Sequence, residues 1–128
     1  MKILGIGVDV IKNKRIEKLI GKKDFIKRTF GKNEVKFAKK KFDKINYFAK
    51  RFAAKEAFAK SLGIGFRNNL NLKDIEILND KIGKPYYLVS KKINHIINKR
   101  FKVKKYNLFL SISDEKDYSV AFTILQTK

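Results

Sequence analysis

The stretch FAKRFAAKEAFAKSLG, residues 48 to 63, constrains the fold more than any other part of this chain. Alanine is the strongest helix former, and no β-branched residue interrupts 47–63, so the pattern predicts a helix there. Phe48, Phe52 and Phe58, with alanines and Leu62 between them, give that helix an apolar face, and Gly63 and Gly65 end it. It is basic at Lys50, Arg51, Lys55 and Lys60, yet Glu56 at its centre is the only acid between Asp43 and Asp74. Taken alone, Glu56 reads as half of an i,i+4 ion pair with Lys60, or as a neutraliser of Arg51 and Lys55. A functional reading needs a second carboxylate.

Asp9 is the candidate. It lies near the end of KILGIGVDV, residues 2–10, which reads as a buried strand: apolar, β-branched, and with two glycines where a backbone or ligand comes close. A buried, unpaired carboxylate is expensive. Asp9 or Asn13 therefore caps the helix that follows, or Asp9 is a metal ligand or ion-paired acid at a strand end. Asp9 and Glu56 together would suit one Mg²⁺, a cation that keeps several waters and takes one or two carboxylates plus substrate phosphate. Neighbouring cations would meet the remaining phosphate charge, Arg51 in bidentate fashion.

The rest of the chain reads as short elements. A helix is expected over 13–20, ended by Gly21, and a second helical segment over 22–31. Asn33 reads as an N-cap with Glu34 in the first turn of a helix continuing through Val35, Phe37, Ala38 and Phe42. Phe25, Phe30, Phe37 and Phe42 fall at helical spacing and read as core. GFRNNLNL, 65–72, is a polar loop; 74–78 alternates as a strand, and Asp80–Lys84 turns into the next strand. An amphipathic helix over 91–101 uses Ile93, Ile96, Ile97 and Phe101, with His95 among its polar positions. YNLFLSISD and YSVAFTILQ pair around a turn at Asp114–Asp117. Strands joined by tight turns pair antiparallel, so the expectation is a single α+β domain spanning 1–128, its antiparallel sheet packed against helices.

Composition narrows the function classes. A formal net charge of +20, from 32 basic and 12 acidic residues, attracts polyanions without choosing among nucleic acid, anionic membrane, phosphorylated cofactor and acidic protein. With no cysteine there is no disulfide framework and no thiolate metal site; a single histidine builds no histidine metal cluster, and with no nucleophile elbow around it a Ser-His-Asp triad is not expected. No apolar run approaches the ~18 residues of a membrane span. MKILGIGVDVI contains Asp9 and lacks a small-residue cleavage site, so a cytoplasmic location is expected. SLGIG follows a helix and is not a P-loop, which leads into a helix N-terminus.

GIGVDV, RFAAKEAFAKSLGIG, DIEILNDKIGKPY and LSISDEKDYSVAF, in that order, closely resemble the small bacterial holo-acyl-carrier-protein synthases of the 4′-phosphopantetheinyl transferase family, from Ile3 to Leu125. The resemblance implies transfer of phosphopantetheine from coenzyme A to a serine of apo-acyl carrier protein, in support of fatty acid synthesis, with release of adenosine 3′,5′-bisphosphate. It places the Mg²⁺ ligands at Asp9 and Glu56, and at Lys60 a catalytic cation facing the phosphates. Lys55 belongs to the same Lys-Glu-Ala signature; Arg51, Lys55, Gly63, Gly65 and Ser113 then fall at the cofactor. It implies a homotrimer with clefts between subunits. Where some relatives carry a histidine after Ser-x-Ser, this chain has Asp114, so no histidine role transfers. The base for the serine hydroxyl is expected to be Glu56, through a water. Acyl carrier proteins are acidic, which assigns a docking role to Lys14, Arg15, Lys22, Lys23, Lys27 and Arg28. The competing class, a nucleic-acid-binding module, explains the charge but neither the two isolated acids nor the four ordered blocks.

Overall fold

The computed structural model describes residues 1–67 and 69–128. Its elements are β1 (Ile3–Lys12), α1 (Asn13–Ile20), α2 (Phe25–Thr29), α3 (Lys32–Ala38), α4 (Lys44–Leu62), a 3₁₀ turn (Leu72–Asp74), β2 (Glu76–Asn79), β3 (Pro85–Leu88), α5 (Lys91–Phe101), β4 (Tyr106–Asp114) and β5 (Tyr118–Thr127). One antiparallel sheet runs β1-β5-β4 with β5 central, and β2-β3 form a separate hairpin. The α+β expectation holds.

α4 is the core of the molecule. The Asp43 carboxylate accepts the Asn46 N–H at 2.9 Å to start it, and Gly63, at φ 73°, ends it in the left-handed region that suits glycine. Thirteen of its nineteen residues are buried, so it packs on several sides at once. Fully burying a side chain such as Phe58 contributes about 1.5–3 kcal/mol. On one side Phe48 and Phe52 meet Phe30 and Phe25; on another the helix lies across β1 and β5. That second contact depends on Gly5 and Gly7. A Cβ at either would run into the backbone carbonyl of Ser61 or Ala57, so only glycine lets α4 lie this close to β1.

Strand register then decides what each face carries. Asp9 pairs with Ala121, and Ile11 with Ser119, on the face toward α4; Val8 pairs with Phe122, and Val10 with Val120, on the other. The expected burial of β1 holds on one face only: Ile6, Val8 and Val10 are exposed, as are Phe122 and Phe109 on the adjoining strands. An apolar strand reads as covered on both faces, but within this chain nothing among the described residues covers the outer one.

Other expectations shift locally. α3 starts at Lys32, and its N-cap is Gly31 rather than Asn33: the Glu34 carboxylate accepts the Gly31 N–H at 2.9 Å, which fixes the first turn. That helix stops at Ala38, leaving Phe37 and Phe42 exposed while Phe25 and Phe30 join the core. Neither Asp9 nor Asn13 caps α1. Asn13 is buried instead, donating to the Glu115 and Lys116 carbonyls at 3.1 and 3.0 Å and accepting from the Ser119 hydroxyl at 2.8 Å, which holds the β4–β5 turn. The Asp80–Lys84 turn is as expected: the Asp80 carboxylate accepts from Ile82 and Lys84, and Gly83 has φ 90°. Asn68, in the loop expected at 65–72, lies outside the described residues; Leu70 in that loop is buried.

Candidate active site

The close packing of α4 on β1 brings Asp9, Glu56 and Lys60 together. Lys60 Nζ sits 3.2 Å from an Asp9 carboxylate oxygen and donates to the Val8 carbonyl at 2.9 Å. Lys60 therefore pairs with Asp9 across the two elements rather than with Glu56 along the helix. Its side chain stays 55% exposed, free to turn toward an anion. Burial and the nearby Asp9 carboxylate push Glu56 above the usual carboxylate range, against the pull of Lys60 and Arg15. Two neighbouring carboxylates are a local concentration of negative charge inside a chain of net charge +20.

Glu56 also lines a cleft of about 560 Å³ walled by Phe25, Phe52, Phe66, Leu70 and Leu72, with Arg15 and Arg28 at its rim. Two of the expected docking cations thus open directly beside Glu56. Lys22 and Lys27 line a neighbouring groove over Ile20, Ile26 and Phe30, while Lys14 faces a different cleft with Glu17, Asp43, Asp114, Glu115 and Asp117. The structure separates Lys14 from the other cations of that face.

Arg51 occupies a second place. It lies five positions before Glu56, about 140° around the helix, and is buried against the β2–β3 hairpin. Its guanidinium donates to the Asn79 side chain and to the Tyr47 carbonyl, and stacks 3.8 Å from the Tyr47 ring centre. Its Nε is buried without a hydrogen-bond partner among the described residues. With Lys50, Asn79, Gly83, Pro85, Ile112 and Asp114 it lines a small pocket of about 120 Å³. Ser113 is exposed beside this pocket, on the sheet face away from Asp9. Gly63 and Gly65, at φ 73° and 61°, do not line the Glu56 cleft; Gly63 lies near the Arg100 guanidinium. His95 is exposed on α5, among Ile96, Lys99 and Arg100.

The expectation for Lys55 needs correction. It is fully buried and does not face a ligand: its Nζ pairs with Glu34 at 2.5 Å and donates to the Leu72 carbonyl at 3.1 Å and to the Ile75 carbonyl. Glu34 lies 21 residues earlier. Nothing in the local pattern around Lys55 points to it, although a helix-starting acid beside an apolar run was the available signal.

Comparison with known proteins identifies the family. Residues 5–123 match the family model of the 4′-phosphopantetheinyl transferase superfamily. Over its whole length the chain is 58% identical to the whole of the holo-[acyl-carrier-protein] synthase of Pelagibacter ubique, and 41% identical, over 98% of each chain, to that of Ruthia magnifica. Among solved structures it resembles the holo-[acyl-carrier-protein] synthase of Neisseria meningitidis, with a TM-score of 0.88 and 34% identity over 98% of this chain and 99% of that one. It also resembles the Bacillus anthracis enzyme in complex with coenzyme A (3′,5′-ADP), with a TM-score of 0.83 and 34% identity over all of both chains. The chain belongs to the 4′-phosphopantetheinyl transferase superfamily, as an enzyme of its holo-[acyl-carrier-protein] synthase group.

Proposed function

We propose that this enzyme moves 4′-phosphopantetheine from coenzyme A to a serine of apo-acyl carrier protein, uses Mg²⁺ and releases adenosine 3′,5′-bisphosphate, in the cytoplasm and in support of fatty acid synthesis. The convergence of Asp9, Glu56 and Lys60 beside the cleft carries the proposal. The coenzyme A complex of the Bacillus anthracis relative supports the donor.

The residues present fit Mg²⁺. Two neighbouring carboxylates, Glu56 pushed upward by burial and then by Asp9, are relieved by a divalent cation. No group of three or more acidic or histidine ligands occurs among the described residues, which suits an ion that takes one or two carboxylates and completes its shell with water and substrate phosphate. Bound between Asp9 and Glu56, it would neutralise pyrophosphate charge.

The chain's own groups supply the rest. The serine oxygen attacks the phosphorus that carries the pantetheine arm; its O–P bond forms as the bridging P–O bond breaks. The leaving bisphosphate takes the electron pair, and Lys60, turning from Asp9, meets the charge that develops. Glu56 takes the proton from the serine hydroxyl through a water. Arg15 and Arg28 at the cleft rim, with Lys22 and Lys27 nearby, draw in the acidic carrier.

Arg51 and Ser113 take part through a neighbouring subunit. They face away from Asp9 and Glu56 in one chain, so the Arg51 pocket and the Glu56 cleft are two half-sites. The exposed apolar face at Ile6, Val8, Val10, Phe109 and Phe122 is the surface a homotrimer would cover, and it would set the Glu56 half-site of one chain against the Arg51 half-site of the next.

The test incubates the protein with coenzyme A, Mg²⁺ and apo-carrier protein, then weighs the carrier by mass spectrometry. A phosphopantetheine adduct that chelation abolishes is the expected result. No adduct, together with tight, salt-sensitive DNA binding, would replace this reading with nucleic-acid binding.

A further inference from the structure

One buried group has no part in that chemistry. Lys55, fully buried next to Glu56 in α4, spends its three N–H donors on Glu34 Oε1, the Leu72 carbonyl and the Ile75 carbonyl. Glu34 is equally occupied: Oε1 also accepts from the Gly31 N–H at 2.9 Å and Oε2 from the Ile77 N–H at 3.1 Å. The Tyr47 hydroxyl donates to the Glu34 carbonyl at 2.6 Å. Burial pushes the Glu34 carboxyl up and the Lys55 ammonium down, each against the pull of the other.

What this network holds is one wall of the cleft. Leu70, Asn71 and Leu72 face Glu56 across it, and the segment they belong to lies between helix and strand, closed only by the short turn Leu72–Asp74. Two carbonyls of that segment end on Lys55. The outer side is tied by Lys92 to Asp74 at 2.6 Å, toward α5 and not toward the cleft. Leu70 and Ile75 also pack into the core, and the wall's polar tie to α4 is the side chain of the residue covalently next to Glu56.

We propose that Lys55, held by Glu34, is a positioning residue: it fixes the Leu70–Ile75 wall relative to Glu56 and so shapes the cleft for the carrier protein's serine. A pair that only stabilised the fold could be replaced by apolar or neutral groups of similar size. A pair that positions the wall could not, because the two carbonyls would lose their donor.

The experiment uses Lys55→Met, Glu34→Gln and the double variant in the full chain. Each single variant leaves a buried group unpaired and loses thermal stability. The double variant regains part of its melting temperature, because no buried charge is left unpaired while the Leu72 and Ile75 carbonyls still lack their donor. The assignment predicts that it nevertheless keeps a KM for apo-carrier protein raised about 10- to 100-fold, with kcat and the KM for coenzyme A near wild type. It also predicts faster hydrogen exchange at the amides of Leu70, Asp74 and Ile75. A double variant with wild-type carrier KM overturns the assignment, as does wild-type exchange over 70–75. The kinetic arm rests on the proposed transferase activity, whereas the exchange arm does not. Wild-type protein that transfers nothing refutes that activity, and the exchange result still decides the clamp.

Discussion

Gly7→Ala isolates the link between fold and site. The added Cβ meets the Ala57 carbonyl and the Ser61 amide, both backbone atoms of α4. A clash with a flexible side chain is relieved by a rotamer change; this one requires strand and helix to separate by about 1 Å or more. Overpacking a core costs typically 1–3 kcal/mol, and an obstacle made of backbone puts this site at the top of that range, about 3 kcal/mol. For a chain of this size that lowers the melting temperature by about 10 °C. Gly21→Ala is the control, because a Cβ there meets only the Lys18 carbonyl at 3.6 Å and φ is −80°, so its effect should be neutral or slightly stabilising. The functional consequence follows from position. Asp9 is two residues beyond Gly7 on the same face, so retreat of β1 takes it away from Glu56 and Lys60. A misplacement of about 1 Å costs on the order of 10²-fold in transfer rate. Differential scanning calorimetry and carrier modification by mass spectrometry measure the two effects. A Gly7→Ala protein with unchanged melting temperature and rate would refute the claim that glycine packing sets the carboxylate pair.

Further outcomes follow from the same geometry. Glu56→Gln should raise the melting temperature of the metal-free protein near pH 7, and the gain should vanish as pH falls below the ordinary carboxylate value. A carboxyl with a raised folded pKa contributes stability below its unfolded pKa and loses it as pH rises through the folded one; a melting series from pH 4 to 8 reads the sign. Replacing Arg15 and Arg28 by Glu should raise the carrier KM and flatten its salt dependence, measured as initial rates against ionic strength. Val8→Lys with Phe122→Lys should yield monomers without activity, seen by light scattering with a rate assay. If the half-sites come from different chains, mixing inactive Asp9→Asn and Arg51→Gln proteins through unfolding and refolding should restore part of the activity.

Much of this was legible because it is local. Alanine content marked α4, turn residues marked the two hairpins, and alternation marked β2. Two other features depend on partners remote in sequence. The Lys55–Glu34 pair spans 21 positions and joins two helices, so the Lys-Glu-Ala signature alone made Lys55 look like a ligand group. The apolar run of β1 implied burial on both faces, whereas its outer face stays open in a single chain. Arg51 and Glu56 share one motif yet point into different pockets, because five helical positions turn a side chain to another face.

The most direct test of the central claim is the rate of carrier modification, followed by mass spectrometry across a Mg²⁺ titration, for wild type, Asp9→Asn and Glu56→Gln. Each variant is predicted to lose on the order of 10²-fold or more in rate, with Asp9→Asn partly recovered at high Mg²⁺. Wild-type turnover and unchanged Mg²⁺ dependence in either variant would contradict the assignment of Asp9 and Glu56 as the metal-holding pair.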